Sequence, residues 1–431
     1  MPVVVRVRAE RSPGEKRVAA SPESVRKLVA IGAAVEVESG AGADALVSDA
    51  AYRDAGATII EPGTPLADGI LFHVRPLTPP ELAALPAGTV TIGVDDPFQH
   101  SDSVVAARDA GVTSFALDLL PRISRAQSMD VLSSQSLIAG YRLVTLAADA
   151  FGRMFGMTMT AAGTLAPARV LVLGAGVAGL QAIATAKRLG GVVSANDVRA
   201  ASADEVRSVG GTFIDLDLGT ADASGGYAKE LAEDRARRQQ ELLAPHVAAS
   251  DIVITTAAVP GRAAPRLVTG AMVAAMKPGS VLVDLAADSG GNIEGSVAGE
   301  RRAVAVAGGI ATLIGARDIQ SDLSPDASKL YAMNCANFAA LIVKEGELVL
   351  DFADELVAGS AVTHNGRIVS ERVAAALPVP VPELVEGPEP APVPELVEGP
   401  EPAPVPELVE RPEPAAVPEL VEGPQTIEER A

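Results

Sequence analysis

Residues 169–199 read RVLVLGAGVAGLQAIATAKRLGGVVSANDVR, and this stretch decides the fold. Val170–Leu173 is a short apolar run typical of a buried strand, and Ala178–Leu189 has the composition of a helix. Val192–Ala195 predicts a second strand, and Asp197 follows its end. Strand, turn, helix, strand and acid in this order predict a doubly wound α/β fold of the Rossmann type.

Three glycines lie between the first strand and the helix with the spacing GxGxxG, namely Gly174, Gly176 and Gly179. In such a fold the first permits a tight turn, the second lets a pyrophosphate approach the backbone, and the third allows helix and strand to pack closely. The N–H groups at the start of the helix carry partial positive charge and bind phosphate. We therefore predict a dinucleotide site rather than an α/β turn that merely needs glycines, because the whole context is present.

The acid at the end of the second strand bears on which dinucleotide is bound. Asp197 can accept hydrogen bonds from an adenosine ribose and would repel a 2′-phosphate, which favours NAD over NADP. Arg199 lies two residues later and has the opposite tendency, since its guanidinium could pair with a 2′-phosphate.

Composition excludes several classes of protein. The 431-residue chain carries a formal net charge of −20, which argues against binding to nucleic acid or to an anionic membrane surface. Its single cysteine, Cys335, cannot form an intramolecular disulfide, and a reducing compartment fits. The N-terminal residues lack the apolar core of a signal peptide, and the longest uncharged apolar run, Ala303–Ala316, is shorter than a membrane span. We expect a protein that is soluble by itself and reaches a membrane only through partners.

The N-terminal region alternates strand and helix signals and predicts an open α/β domain with a mostly parallel sheet over residues 1–135. Its first helix is expected at Ser21-Pro22-Glu23, where an N-cap, a proline and an acid follow one another. The predicted strands are Val3–Val7, Val35–Glu38, Thr58–Glu61, Ile70–Val74, Val90–Val94 and Thr113–Leu117.

A second domain, of the dinucleotide-binding type, is expected over 136–324, and residues 325–375 are expected to fold back onto the first domain. Residues 130–165 are predicted to be helical and to connect the two domains. The further strands predicted for the second domain are Gly211–Ile214, Asp251–Thr256, Ser280–Leu285 and Ala303–Ala307.

The C-terminal residues 378–431 differ in kind from the rest of the chain. The motif PELVE recurs there from Pro382, Pro394, Pro406 and Pro418, within units close to PELVEGPEPAPV. Frequent proline and glutamate predict an extended, disordered acidic tail. Its residues leave three roles open: a spacer, a partner-binding peptide or a by-product of repeat expansion.

A dense polar run, PRISRAQSMDVLSSQSLIAGYR, occupies residues 121–142. Arginine, glutamine, aspartate and serine can together hold an amide-bearing ring and fix the face that it presents. Hydride transfer requires such positioning, with the two carbon atoms about 3–3.5 Å apart. The alternative is a capped inter-domain loop with solvated charges.

Other candidates for chemistry are weaker. Arg17 follows a turn and could bind an anion, while His73 and His100 lie at predicted strand ends and could act as general acids or bases. The sequence contains no metal-ligand spacing, nucleophile elbow or P-loop, so no metal site is predicted.

Over residues 1–375 the chain resembles the soluble NAD(H)-binding subunit, domain I, of proton-translocating nicotinamide nucleotide transhydrogenase, which is related to the alanine dehydrogenases. The motifs that carry the resemblance are ERSPGEKRVAASPE, PRISRAQSMDVLSSQS with AGYR, MTAAGTLAPARVLVLGAGVAGLQAIATAKRLG, SGGYAKE and MKPGSVLVDLA.

The resemblance implies roles for individual residues. Arg122, Gln127, Asp130 and Ser133 would hold the nicotinamide. The remaining nucleotide contacts are implied for Ala175, Val177, Val198, Gly226, Tyr227, Gln239 and Ala258, beside the three glycines, Asp197 and Arg199. Tyr227 would lie on a mobile loop, SGGYAKE, that closes over the nucleotide.

The resemblance also implies a reaction and partners. Hydride would pass directly between NAD(H) bound here and NADP(H) on a partner domain, and a partner membrane domain would couple the transfer to proton movement. We expect a homodimer in the cytoplasm, attached to the inner face of the cell membrane by its partner subunits. Two alternatives remain open: a free-standing NAD-dependent dehydrogenase similar to alanine dehydrogenase, and a non-catalytic NAD-binding interaction protein.

Overall fold

A computed structural model describes residues 2–66, 69–199, 201–217, 228–257 and 263–377, without the side chains of 228–233. The acidic repeat tail and the residues Gly226, Tyr227 and Ala258 lie outside the described residues. Within these ranges no helix has both the length and the apolar composition needed to cross a membrane.

The first sheet has eight strands among the described residues, and most of them are parallel. Its parallel strands are β1 (Val4–Val7), β2 (Ala34–Glu38), β3 (Thr58–Ile60), β4 (Gly69–Phe72), β5 (Val90–Gly93) and β6 (Thr113–Ala116). The predicted strands are thus found, with shifts of one or two residues at their ends. Four helices connect them: α1 (Pro22–Ala30), α2 (Asp49–Asp54), α3 (Pro79–Ala83) and α4 (Ser101–Asp109). Every residue of β4, β5 and β6 is buried, as expected of parallel strands covered on both faces.

The first helix begins where the sequence predicts. The Ser21 hydroxyl accepts a hydrogen bond from the Ser24 amide, and the Ser24 hydroxyl accepts one from the Ser21 amide. This reciprocal capping box, with Pro22 in the first turn, fixes the start of α1.

The helix α5 (Val131–Ala150) leads from the first sheet to the second. It ends fifteen residues before the predicted end of the helical segment at residue 165, so that expectation is wrong for 151–165. Phe151 and Phe155 are buried there, and a short hairpin follows, formed by β7 (Thr158–Thr160) and β8 (Gly163–Leu165). Gly163, at a φ of +137°, adopts a turn conformation that favours glycine and that a helix does not contain.

The second sheet is of the Rossmann type. Its strands are β9 (Arg169–Leu173), β10 (Val192–Asn196), β11 (Thr212–Phe213), β12 (Ile252–Thr255), β13 (Val281–Asp284), β14 (Arg301–Val306) and β15 (Gly309–Gly315). They lie in the order β11-β10-β9-β12-β13-β15-β14, so the strand order reverses between β9 and β12, where such sheets bind ligands. The helices of this region are α6 (Val177–Arg188), α7 (Ser202–Ser208), α8 (Ala228–Ala249) and α9 (Gly270–Ala274).

The edge of the second sheet differs from the prediction. The predicted strand Ala303–Ala307 corresponds to β14, which runs antiparallel to β15, and it is β15 that continues the parallel order. The run Ala303–Ala316 therefore contains two strands rather than one. Gly308, at a φ of +82°, allows the chain to reverse between them.

The chain then returns to the first sheet through α10 (Ser324–Ile342), the pair β16 (Val343–Lys344) and β17 (Glu347–Leu348), and α11 (Glu355–Ser360). The strand β18 (Ala361–His364) pairs antiparallel with β6 and with β19 (Arg367–Ile368), and α12 (Glu371–Ala376) follows. Tyr331, Cys335 and Phe338 of α10 belong to the same apolar core as the first sheet. The predicted domain boundaries stay predictions, and the one at residues 135–136 falls inside α5.

Candidate nucleotide site

The glycine turn between β9 and α6 has the geometry that a pyrophosphate requires. Gly174 adopts a φ of +100°, and a Cβ atom at Gly179 would overlap the carbonyl oxygen of Gly174. A Cβ atom at Gly176 would meet no described atom within 4 Å, so this side of the turn is open. No side chain among the described residues caps α6, which leaves its first N–H groups available to an anion.

Thr256 and Asn292 hold the segment next to this turn. The Thr256 hydroxyl donates to the carbonyl oxygen of Gly174 at 3.1 Å. Asn292 is fully buried, accepts from the amide of Ala257 at 3.1 Å, and donates to the carbonyl oxygens of Ala257 and Pro265 at 2.8 Å each. Asn292 thus fixes both ends of the segment that contains the predicted contact Ala258. Sequence reasoning missed it, although a buried amide beside Gly290-Gly291 is a signal for a backbone clamp.

The acid predicted to bind ribose lies beside the turn. Asp197 accepts a hydrogen bond from the amide of Ala175 at 2.7 Å and another from the amide of Arg199 at 2.9 Å. Burial alone would raise the pKa of Asp197, but hydrogen bonds from Arg199 and Ala175 outweigh it and lower this pKa. Val198 is 70% exposed, and Gln239 is half-buried on α8, which packs against β9.

The polar run predicted to hold nicotinamide forms a 3₁₀ turn, Ser124–Met129, followed by the start of α5. Arg122 and Gln127 are exposed, whereas Asp130 and Ser133 interact with each other. Asp130 accepts from the amide of Ser133 at 2.9 Å and from its hydroxyl at 2.5 Å, and so caps α5. We call residues 122–133 the nicotinamide loop. Arg125 does not join it, because its guanidinium pairs with Asp354 at 2.5 Å.

The helix α5 brings the nicotinamide loop and the glycine turn to the same region of the molecule. A Cβ atom at Gly140 would overlap the carbonyl oxygen of Ala178, so α5 and α6 cross in close contact there. The loop lies at the N-terminal end of α5, and the turn lies at the N-terminal end of α6. The described residues therefore supply one place for a ring and one for a pyrophosphate.

A buried charged cluster that sequence reasoning did not assemble lies where the first sheet meets α5. The fully buried carboxylate of Glu15 binds the guanidinium groups of Arg17 and Arg75, both at 2.6 Å. Burial would raise the pKa of Glu15, but Arg17, Ser321 and Arg75 together lower it to about 2. Arg75 also pairs with Asp318, and Arg17 donates to Gln135 of α5 at 2.9 Å.

The histidines suggested as acid–base candidates are placed differently from each other. His73 is fully buried, its Nδ1 lies 2.9 Å from the carbonyl oxygen of Arg75, and its Nε2 lies 3.5 Å from Asp95. Burial lowers the pKa of His73 and raises that of Asp95 to about 6. His100 precedes α4 and does not cap it through its side chain. The described residues contain no cluster of His, Cys, Asp and Glu able to hold a metal ion.

Comparison with known families agrees with this architecture. A family model described as "Alanine dehydrogenase/PNT, N-terminal domain" matches residues 6–139, and "Alanine dehydrogenase/PNT, C-terminal domain" matches residues 143–371. The chain belongs to the alanine dehydrogenase/PNT family.

Within this family the chain is similar to transhydrogenase subunits. It is 47% identical over 372 residues to an NAD(P) transhydrogenase alpha subunit of Rhodospirillum rubrum, covering 84% of this chain and 96% of that protein. The crystal structure of a transhydrogenase from Sinorhizobium meliloti matches with a TM-score of 0.74 and 43% identity, over 86% of this chain and 99% of that one. An L-alanine dehydrogenase shares the fold, with a TM-score of 0.71 at 23% identity over 87% of this chain and 99% of the other. The chain is therefore a member of the transhydrogenase alpha-subunit branch of the alanine dehydrogenase/PNT family.

Proposed function

We propose that this chain is the NAD(H)-binding subunit of a proton-translocating NAD(P)+ transhydrogenase. Hydride passes directly between NAD(H) bound to this chain and NADP(H) bound to a partner domain. The single observation that carries the proposal is the open, uncapped turn at Gly176, because it leaves a phosphate-binding helix end beside an acid suited to ribose.

The fit of a dinucleotide follows from the described residues. Gly174, Ala175, Gly176, Val177 and Gly179 would lie along the pyrophosphate, and Asp197, Val198 and Arg199 would lie around the adenosine ribose. Gly226, Tyr227, Gln239 and Ala258 are proposed as further contacts, three of which lie outside the described residues. The nicotinamide ring, when bound, supplies the carbon that gives or accepts the hydride.

The chain's own residues would position that ring. Gln127 and Arg122 are exposed and free to approach an amide, while Asp130 and Ser133 hold the start of α5 in place. Direct hydride transfer between two nicotinamides needs alignment and exclusion of water but no general base, since no proton is gained or lost.

The partners follow from the same proposal. The relatives are named subunits, which supports partner chains that supply the NADP(H)-binding domain and the membrane domain. We place the subunit as a homodimer on the cytoplasmic face of the cell membrane, reached only through those partners. The net charge of −20 argues against nucleic acid as a further partner.

The main alternative, turnover of a keto acid as in an alanine dehydrogenase, is opposed by the buried charged cluster. A carboxylate substrate needs an available cation, yet Arg17 and Arg75 are already paired with Glu15 and Asp318. The histidine nearby, His73, is fully buried.

One experiment separates the candidate functions. The purified chain is mixed with an NADP(H)-binding transhydrogenase domain, NADPH and an oxidised NAD analogue, and separately with NADH, pyruvate and ammonia. Reduction of the analogue in the first mixture alone supports the proposal, and turnover in the second alone contradicts it. NADH binding without turnover in either mixture indicates a non-catalytic binding protein. Omission of the NADP(H)-binding domain from the first mixture is the control.

A further inference from the structure

Both oxygens of the Asp197 carboxylate already have partners within the chain. Oδ2 accepts from the amide of Ala175 at 2.7 Å, and Oδ1 accepts from the amide of Arg199 at 2.9 Å and from its Nε at 3.1 Å. The Asp197 side chain is only 9% exposed. The hydroxyls of a ribose would therefore have to share or displace these donors.

The Arg199 side chain bridges the acid and the glycine turn. Besides its contacts with Asp197, its Nη2 donates to the carbonyl oxygen of Ala175 at 3.2 Å and lies 3.5 Å from Oδ2 of Asp197. The side chain is nonetheless 57% exposed, so it can leave Asp197 without opening the core.

The position of this guanidinium changes the electrostatics of the ribose site. An uncovered carboxylate there repels a 2′-phosphate and accepts ribose hydroxyls, which is the usual basis of NAD preference. A guanidinium paired with that carboxylate cancels much of its charge. It can also turn toward a phosphate and bind it through two parallel hydrogen bonds.

We infer that Arg199 determines the nucleotide specificity of this site by competing with ribose for Asp197 and by pairing with a 2′-phosphate. This inference rests on the proposed NAD(H) binding. Arg199 thus narrows the difference in affinity between NADH and NADPH. Its removal leaves Asp197 free to accept the ribose and to repel the phosphate, so both effects change the preference in the same direction.

The test compares dissociation constants of NADH and NADPH for the full chain and for Arg199→Ala, measured by nucleotide fluorescence. We expect the ratio of the NADPH constant to the NADH constant to rise about tenfold, as the loss of one charge-assisted contact implies. Arg199→Gln keeps a neutral donor for the Ala175 carbonyl, so a rise in this variant separates loss of charge from loss of a structural contact. Arg207→Ala is the matched control, because Arg207 is 62% exposed and pairs with Asp204 on α7.

Each outcome decides the inference. A ratio that stays unchanged or falls in both Arg199 variants overturns it, even when NADH binds normally. A parallel loss of both affinities in Arg199→Ala, with an unchanged ratio in Arg199→Gln, shows a structural role and also overturns it. Failure of the unmodified chain to bind NADH contradicts the proposed function instead, so the two failures are distinguishable.

Discussion

Asn334 donates a hydrogen bond from its side-chain amide to the carbonyl oxygen of Ser128 at 2.9 Å. Its Oδ1 accepts from the hydroxyl of Ser134 at 2.7 Å, so one residue of α10 touches both sides of the Asp130 cap. Asn334 is only 7% exposed. The nicotinamide loop is therefore supported by a helix that belongs to the core of the first sheet.

Replacement of Asn334 by alanine should slow hydride transfer without a comparable loss of nucleotide binding. The loop would keep its residues but lose two hydrogen bonds that fix their position. We expect a fall of roughly tenfold in the single-turnover rate, equivalent to about 1.4 kcal/mol, while the dissociation constant for NADH changes by less than about threefold. Lys329→Ala on the same helix, where Lys329 is 58% exposed, should change neither quantity. Equal losses of rate and affinity would show that Asn334 acts on binding.

Shortening of Gln127 to asparagine should also separate rate from affinity. The side chain is exposed in the loop, and loss of one methylene moves its amide away from the ring that it is proposed to hold. Because a misplacement of about 1 Å costs roughly a hundredfold in transfer, the rate should fall far more than the affinity. Arg125→Lys is the control, since Arg125 pairs with Asp354. A decrease in affinity that matches the decrease in rate would exclude a positioning role.

Alanine at the two later glycines of the fingerprint should have different effects. At Gly179 the added methyl group would overlap the Gly174 carbonyl, so we expect a lower thermal midpoint. At Gly176 the methyl group meets open space, so the fold should persist while NADH affinity falls, because the group stands where a pyrophosphate would approach. Gly152→Ala is the matched control, as its position is also open and should affect neither property. Unchanged NADH affinity in Gly176→Ala would place the pyrophosphate elsewhere.

These glycines show how much the sequence alone could predict. Strand runs and GxGxxG spacing are local patterns, so they predicted both sheets and the turn at Gly174. The cluster of Glu15, Arg17 and Arg75 could not be foreseen, because its members lie far apart in the chain and meet only in the fold. The Gly308 reversal was missed for a different reason, since β14 and β15 form one continuous apolar run.

Glu15→Gln should reduce stability in a manner that depends on pH. Since the pKa of Glu15 falls from 4.5 to about 2 on folding, its charged form stabilises the native state above pH 4.5. That contribution is lost as the pH falls through about 2. Loss of one partner of a buried ion pair costs roughly 3–5 kcal/mol, so we expect the free energy of unfolding to fall by that order at pH 7.

Denaturant titrations of both proteins from pH 7 to pH 2 measure this effect. The difference between Glu15→Gln and the unmodified chain should shrink as the pH decreases. Glu23→Gln is the control, because Glu23 is 50% exposed and lies 3.3 Å from Lys329. A difference that stays constant across this range would mean that packing, rather than charge, explains the loss.

The close crossing at Gly140 fixes the separation of the two half-sites by the length of a single helix. Ten residues of α5 separate Asp130 from Gly140, a rise of about 15 Å at 1.5 Å per residue. One residue inserted between them would lengthen this distance by about 1.5 Å and rotate the loop by about 100° about the helix axis. The chain can therefore tolerate many substitutions on the outer face of α5, but the number of residues in its first half is set by the length of the molecule that the site holds.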